Sequence, residues 1–212
     1  MTSVVQFEIN FRPFYHYSYQ KYDIGEVTGF NDKQLRIITN HLIQYFNGKV
    51  DQAQLILEKD NEPIYLFHDY ELQHLKDVKA LFQLNLFILK VTVAYIIFYF
   101  LLILIGFYKK KWLLFWKGIK AGSFITIMGM LSLGIAAYVN FYWLFIQFHY
   151  LVFGDPQNSP WQLDPRKDYL IMLYPNGFWA DAASLGVLTI MVMAIVLGAI
   201  AWSLSVKLSR KN

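Results

Sequence analysis

Three long apolar segments occupy most of the chain after residue 80 and predict membrane-spanning helices. They cover residues 81–108, 121–147 and 182–206, and the second and third contain no charged residue. A helix rises about 1.5 Å per residue, so each segment can cross a hydrocarbon core of about 30 Å while satisfying its own backbone hydrogen bonds. The pattern predicts an α-helical polytopic membrane protein with three transmembrane helices.

Residues 1–80 carry shorter polar and apolar runs and predict a small α/β cap. The expected order is an extended stretch, a helix, a hairpin and a second helix. Asn31 or Asp32 can cap the first helix, and Gly48 ends it. The apolar face of this helix comprises Leu35, Ile38, Leu42 and Tyr45. The hairpin turns at residues 59–62, and the helix that starts near residue 68 continues into the first span.

Composition supports the membrane class. Hydrophobic residues make up 56% and charged residues 16% of the 212, and the mean hydropathy is +0.33. This excludes a disordered chain and argues against an ordinary soluble domain, since a core of this size cannot hide so much apolar surface. The chain has no cysteine, which excludes disulfides, thiolate metal ligands and a cysteine nucleophile.

The charges divide into two compartments and set the expected topology. All 15 acidic residues lie within residues 1–82 and 148–183, whereas the connection between the first two spans and the C-terminal tail are basic. The formal net charge of +4 is thus a sum over acidic and basic segments and does not indicate a single basic face. No nucleic acid partner is therefore expected. By the positive-inside bias, the expected order is an extracytoplasmic cap (1–80), a span (81–108), a cytoplasmic loop (109–120), a span (121–147), an extracytoplasmic loop (148–181), a span (182–206) and a cytoplasmic tail (207–212).

Export of the cap raises the expectation of a fourth helix. Residues 1–80 contain nothing that resembles a signal peptide or a leading span. An acidic domain of this length is an uncommon passenger without a preceding hydrophobic segment. We therefore expect a first span upstream of Met1, which would give the full-length protein four helices and two cytoplasmic termini.

The stretch HDYELQHLKDVK, residues 68–79, is the first candidate for chemistry. On a helix, Glu71 and Asp77 lie three residues either side of His74, so both carboxylates can flank the imidazole, and Lys79 closes the stretch. A neighbouring carboxylate orients the ring and strengthens it as a general base. A solvated helix next to the membrane explains the same charges, and the spacing alone favours that simpler interpretation.

A second cluster follows the middle span. His149 is expected at the membrane surface, and the loop after it contains four further candidates: Trp161, Asp164, Arg166 and Asp168. An interfacial belt explains the aromatic residues of this region, but not a second histidine at the depth of His74. Two imidazoles, carboxylates and an arginine at one lipid–water boundary suit chemistry on a lipid headgroup or an acyl ester. The other three histidines are expected to be structural: His16, His41 and His68.

Two other classes of function stay open at this point. The signatures HExxH, GxSxG, Walker A and GxGxxG are missing from the sequence. A metal-dependent membrane hydrolase would use His68, His74 and His149 with the acids. However, His68 and His74 lie about 120° apart on a helix, unlike a zinc pair on one face. The third class is a non-catalytic membrane module that binds a lipid or a partner through its acidic cap.

Two motifs resemble those of a known family. The first is HDYELQHLKDVK before the first span, and the second is FHYLVFG with WQLDPRKDYLIMLYPNGFW before the last span. In order and spacing they are similar to the lipoprotein intramolecular transacylase (Lit) family of Gram-positive bacteria, as are Asn40 and Tyr45, and the resemblance covers most of the chain. The sequence departs from the family in lacking the first span and in having Leu75 where Met commonly follows the histidine.

The resemblance implies a fold, a reaction and a site. Family members are four-helix proteins of the cell membrane with an extracytoplasmic cap and active site. They move the sn-2 acyl chain of a diacylglyceryl-modified lipoprotein onto the α-amino group of its own cysteine, which gives the lyso-form lipoprotein. The catalytic histidines fall on His74 and His149. The expected partners are lipoproteins and membrane lipid, and no metal or other cofactor is expected.

The residue chemistry fits that reaction. The attacking α-amino group, with a pKa of about 7.7–8.0, must be neutral, and a histidine can accept its proton and return it to the departing glycerol oxygen. Our sequence-based hypothesis makes His74 the base, oriented by Glu71 or Asp77, and His149 the group that polarises or protonates. The candidate donors to the tetrahedral intermediate are Arg166, Trp161, the second histidine and backbone N–H groups.

Overall fold

The computed structural model describes residues 1–105, 109–157 and 159–210. Within these residues there are eight helices and one two-stranded antiparallel sheet. In chain order the elements are α1 (Thr2–Asn10), α2 (Arg12–Lys21), α3 (Ile24–Thr28), α4 (Asp32–Phe46), β1 (Ile56–Lys59), β2 (Glu62–Tyr65), α5 (Asp69–Ile105), α6 (Lys109–Phe153), α7 (Tyr169–Leu173) and α8 (Asn176–Ser209).

Three of these helices, α5, α6 and α8, are long and apolar enough to cross a membrane. This confirms the prediction of a helical polytopic protein with three spans and a small two-stranded sheet. α5 joins the cap to the membrane without a break, because its 37 residues include no proline or glycine that would end the helix. α6 packs against α8, with Gly134 close to Val187 and Gly198 close to Ser123.

The basic segment between the first two spans is helical, which corrects the predicted loop. α6 begins at Lys109, so residues 109–120 form its first turns. Lysine and leucine favour helices, and the segment contains no proline. α6 therefore has 45 residues, far more than the span it contains. The predicted end of the first span, residues 106–108, lies outside the described residues.

α6 is interrupted at Asn140, whose φ of −159° and ψ of 86° are not helical. The Asn140 side chain accepts a hydrogen bond from the Trp143 backbone N–H at 2.9 Å, as an N-cap does. An asparagine side chain can bond to nearby backbone groups in place of the helical hydrogen bonds. It can therefore end one helical segment and cap the next. The last turns of α6, which carry His149, thus form a separately capped segment. The sequence predicts a continuous span here, and the break corrects that prediction.

The N-terminal part of the cap is helical, where the sequence predicts an extended stretch. α1 packs against α5 and α8: the Asn85 amide donates to the Thr2 carbonyl at 3.1 Å, and Glu8 approaches Gly186. The β-branched and aromatic residues of α1 favour a strand in isolation, but packing against two long helices overrides that preference. Pro13 in the first turn of α2 suits a helix N-terminus, where the missing amide hydrogen costs nothing.

From α4 to the hairpin the cap follows the prediction. α4 starts at a capping box, in which the Asn31 side chain accepts from the Gln34 backbone N–H and the Gln34 side chain accepts from the Asn31 backbone N–H. Gly48 follows the helix with a φ of +71°. The strands are joined by Asp60 and Asn61, which both adopt the positive φ that a two-residue turn requires.

One apolar core joins the cap to the loop before the last span. It combines the inner face of α4, the hairpin and α7 with the start of α8. Its most buried apolar side chains are Ile24, Leu35, Ile38, Leu42, Leu66, Leu75 and Leu173. Residues 1–80 and 169–178 therefore form one folded unit.

Leu35→Ala should destabilise this unit. The side chain is 1% exposed, so its truncation removes apolar contacts and leaves a cavity, at a cost of about 2–5 kcal/mol. We expect a lower melting temperature for the purified full chain in detergent. Ile37→Ala, on the same helix but 43% exposed, is the matched control and should melt like the parent protein. Equal melting temperatures for the two variants would contradict the packing described here.

Candidate active site

The two histidines singled out by the sequence lie side by side. His74 is on the second turn of α5, and His149 is four residues before the end of α6. Their ring centroids are 6.0 Å apart, and each residue is 7% exposed. Two helices that are distant in sequence thus bring two imidazoles to one buried position near the junction of the cap and the spans.

Aromatic rings surround the histidine pair. The Phe145 ring is 4.2 Å from the His149 ring, and the Phe153 ring is 5.1 Å from His74 and 5.5 Å from His149. Trp161 lies 5.1 Å from His149. Phe145, His149 and Phe153 are four residues apart, so successive turns of α6 present them on one face. These rings form an apolar wall that limits the access of water to the imidazoles.

Hydrogen bonding fixes the tautomer of His149. Its Nδ1 lies 2.7 Å from the Phe145 carbonyl oxygen. A carbonyl only accepts, so Nδ1 carries a proton and Nε2 keeps a lone pair in the neutral ring. In His74, by contrast, the buried Nδ1 has no hydrogen-bond partner in the described part of the chain. The pair therefore offers one ring with a fixed acceptor and one ring whose tautomer the protein does not fix.

Glu71 does not orient His74, which corrects the sequence-based hypothesis. Its carboxylate is fully buried and accepts hydrogen bonds from the His68 backbone N–H, the His68 Nδ1 and the Leu170 backbone N–H, each at 2.8 Å. Residues three apart differ by about 60° around a helix axis. His74 therefore faces α6, while Glu71 faces the loop after residue 160.

Asp168 is the second buried carboxylate, with 1% of its surface exposed. It accepts a hydrogen bond from the Tyr70 hydroxyl and, at 2.7 Å, one from the Asp164 backbone N–H. We use the name carboxylate network for His68, Tyr70, Glu71 and Asp168. The network joins the first turn of α5 to the loop that follows Trp161. It thereby supports the position of Trp161 beside His149.

Three members of the network also resemble a metal site. His68, Glu71 and Asp168 present ligand atoms that lie within 4.8 Å of one another. The fit to a metal ion is poor, because the oxygens of both carboxylates already accept hydrogen bonds. This set includes neither His74 nor His149, so among the described residues the three histidines predicted for a metal-dependent hydrolase do not form one group of ligands.

Asp77 and Lys79 also have other partners than His74. Asp77 accepts a hydrogen bond from the Ser159 side chain at 3.2 Å. Lys79 Nζ donates to the Val50 carbonyl at 3.1 Å and lies 4.1 Å from the centroid of the Tyr45 ring. Both side chains connect α5 to neighbouring segments, so the expected orientation of His74 by Asp77 is wrong as well.

Two of the predicted donors to a tetrahedral intermediate are already engaged. The Arg166 side chain is 88% exposed and pairs with Asp164 at 3.2 Å. Hydrogen bonds from Arg166 hold the pKa of Asp164 below its usual range. Trp161 is 5% exposed and lies beside His149, but its indole N–H donates to the Gly154 carbonyl at 3.0 Å. Trp161 thus contributes its ring to the site rather than its N–H group.

Sequence analysis missed Phe145, Phe153 and Tyr70. A signal existed for the two phenylalanines, since they stand four residues either side of His149. The partner of Tyr70 is 98 residues away in the chain, and no local spacing reveals such a contact. His68, expected to be structural, differs from Tyr70 in that its ring bonds Glu71, only three residues further along the chain.

The fold and the site define a class, namely a multi-pass helical membrane protein with a buried histidine pair near the junction of its cap and its spans. Comparison with protein families gives the assignment. The family model described as "Lipoprotein intramolecular transacylase Lit" matches residues 1–179. The chain belongs to this family of enzymes, the lipoprotein intramolecular transacylases.

Solved structures show the same fold. The chain is similar to the membrane integral lipoprotein intramolecular transacylase Lit from Bacillus cereus, with 20% identity, a TM-score of 0.77, and coverage of 100% of this chain and 90% of the other. A variant of the Bacillus cereus protein with alanine in place of a histidine gives a TM-score of 0.72 at 20% identity, over 100% and 88% of the two chains. No curated protein matches the sequence significantly.

Glu71→Gln should destabilise the junction between α5 and the loop. The amide turns an N–H group towards the donors of His68 or Leu170, which leaves a buried donor unsatisfied at a cost of about 1–3 kcal/mol. We expect a lower melting temperature of the full chain in detergent. Asp69→Asn removes an exposed carboxylate from the same helical turn and serves as control. If both variants melted like the parent protein, the buried network would have no stabilising role.

Proposed function

We propose that this chain transfers the sn-2 acyl chain of a diacylglyceryl-cysteine lipoprotein to the α-amino group of the same cysteine, which yields the lyso-form lipoprotein. The observation that carries the proposal is the buried pair of imidazoles 6.0 Å apart near the junction of the cap and the spans. The ester between the sn-2 acyl chain and the glycerol lies at this boundary, and its aminolysis needs a proton acceptor and a proton donor close together.

The proposal includes the orientation of the chain in the membrane. The basic start of α6 and the basic end of α8 favour the cytoplasmic side for residues 109–120 and 207–212. The acidic cap and the loop 148–181 then share the extracytoplasmic side, with the histidine pair. The common core of the cap and α7 supports this arrangement, because it requires both segments on one side of the membrane.

His149 is the better-placed general base. Its Nδ1 donates to the Phe145 carbonyl, so the lone pair of the neutral ring is on Nε2. The neutral α-amino nitrogen attacks the ester carbonyl carbon, and Nε2 of His149 takes the proton that the nitrogen loses. When the bond from the carbonyl carbon to the glycerol oxygen breaks, the imidazolium returns that proton to the oxygen. No proton is gained or lost overall.

His74 has the complementary role of hydrogen-bond donor. A neutral imidazole carries one N–H group, which can bond the carbonyl oxygen as negative charge develops on it. This reverses the roles assigned from sequence, where an adjacent carboxylate made His74 the base. The reversal follows from the hydrogen bonds of Glu71 and Asp77, which go to other partners than the His74 ring.

Water exclusion and proximity complete the mechanism. Donor ester and acceptor amine belong to one lipid-modified cysteine, so the attack is intramolecular, which can lower the barrier by several kcal/mol, up to about 7–11. The rings of Phe145, Phe153 and Trp161 restrict water near the imidazoles. Restricting water suppresses the competing hydrolysis of the ester.

Replacement of either histidine by alanine should abolish most of the transfer. Loss of a proton-transfer group lowers rates by about 10²–10⁴-fold. The measurement is mass spectrometry of the N-terminal peptide of a lipoprotein, in a host that makes only the diacyl form, with each variant expressed. The product is an N-acyl, S-monoacylglyceryl cysteine of unchanged mass. His41→Ala, outside the site, is the control, and full activity of His74→Ala and His149→Ala would refute the proposal.

Glutamine substitutions should separate the two roles. A glutamine amide can donate a hydrogen bond but cannot accept a proton at neutral pH. His74→Gln should therefore retain more transfer than His74→Ala, whereas His149→Gln should be as inactive as His149→Ala. Initial rates of product formation in the same assay give the comparison. If glutamine restored transfer at position 149 but not at position 74, His74 would be the general base instead.

A further inference from the structure

A cleft of about 240 Å³ lies between α2 and α4, apart from the histidine pair. Its chemically active lining consists of Arg12, His16, Arg36, Thr39 and Asn40. No acidic residue of the described chain lines it, and none of its lining residues belongs to the carboxylate network. Such a lining favours an anion.

Both arginines are available to a ligand. Neither Arg12 nor Arg36 forms an ion pair within the part of the chain that the structure describes. The nearest acids in the sequence are Glu8, on α1, and Asp32, in the first turn of α4, each four residues before the arginine. Glu8 packs against Gly186 instead, and burial raises its pKa to about 7, so its charge only weakly offsets that of Arg12.

The polar groups of the cleft divide into engaged and free ones. The Tyr15 hydroxyl, at its edge, donates to the Ile9 carbonyl at 2.9 Å, and the Thr39 hydroxyl is bonded to that of Tyr19. The remaining donors are two guanidinium groups, the Asn40 amide and the His16 ring. Guanidinium forks match the paired oxygens of phosphate and carboxylate groups, and several donors around one small volume favour the phosphate with its larger number of oxygens.

The position of the cleft favours a membrane lipid as the source of the phosphate. α1 lies against the cap-proximal parts of α5 and α8, with Thr2 bonded to Asn85 and Glu8 beside Gly186. Phe7 on α1 is 57% exposed and stacks on Phe11 with ring centroids 5.0 Å apart. Arg12 follows immediately. An aromatic pair beside the spans, with one exposed ring and one half-buried ring and with a guanidinium one residue beyond it, matches the order of acyl chain and phosphate in a bilayer lipid.

We propose that this cleft binds the phosphate of a membrane lipid headgroup, with Arg12 and Arg36 as its principal contacts. The volume of the cleft suits a glycerophosphate group, and the acyl chains would remain outside against Phe7 and Phe11. The proposal concerns the anchoring of the cap at the membrane surface. It does not depend on the transfer reaction proposed above.

Titration of the purified full chain in detergent with dihexanoyl-phosphatidylglycerol tests the proposal, with binding followed by calorimetry. We expect saturable binding that weakens at least tenfold in the double variant Arg12→Gln, Arg36→Gln, since each charge-assisted pair is replaced by a neutral contact. Lys33→Gln removes an exposed charge from α4 outside the cleft and should bind like the parent protein. Inorganic phosphate, titrated separately, should bind more weakly than the lipid.

Three results would overturn the assignment. They are the absence of saturable lipid binding, an equal loss of affinity in Lys33→Gln, and binding of inorganic phosphate as tight as that of the lipid. The last result would indicate a site for free phosphate. Arg36→Lys gives a second test if the double variant melts at a lower temperature. It keeps the charge but loses the fork, so we expect an intermediate affinity.

Discussion

Burial of the Glu71 carboxylate imposes the constraint around which the site is arranged. A carboxylate with no solvent exposure must have hydrogen-bond donors, or its desolvation would destabilise the fold by several kcal/mol. The donors come from His68, in the turn before α5, and from Leu170, at the start of α7. Because Leu170 has to reach Glu71, the whole loop after α6 is drawn against α5. Trp161, nine residues earlier, then lies beside His149.

Different structural features fix the positions of the two histidines. α5 is one uninterrupted helix from the cap into the membrane, so the depth of His74 is fixed by the same element that anchors the cap core through Leu75. α6 is broken at Asn140, which caps a new helical segment. His149 is thereby oriented by its own short segment and by the Phe145 carbonyl. The proposed reaction needs a defined separation of the two rings, and two helical segments with separate supports can supply it.

Most of the fold could be predicted from local sequence patterns, whereas the details of the site depend on long-range contacts. The number of spans, the cap at Asn31 and the turn at residues 60–61 follow from contiguous stretches of the sequence, so the sequence predicts them correctly. It also points to both histidines as candidates, largely through the family resemblance, and their rings lie together in the structure. The spacing around His74, however, does not tell which side of the helix faces a partner. Glu71 is three residues away and bonds Leu170 instead, which is 99 residues distant.

No carboxylate of the described chain hydrogen-bonds either imidazole, and this bears on the proposed choice between transfer and hydrolysis. A carboxylate beside a histidine stabilises the imidazolium and attracts water, both of which favour activation of a water molecule. Here a backbone carbonyl orients His149, and a carbonyl fixes the tautomer without adding a full negative charge. The neutral His149 ring among Phe145, Phe153 and Trp161 then suits an attacking amine that is itself neutral when it binds. Such a site gives a tethered amine the advantage over water, which is what an intramolecular acyl transfer requires.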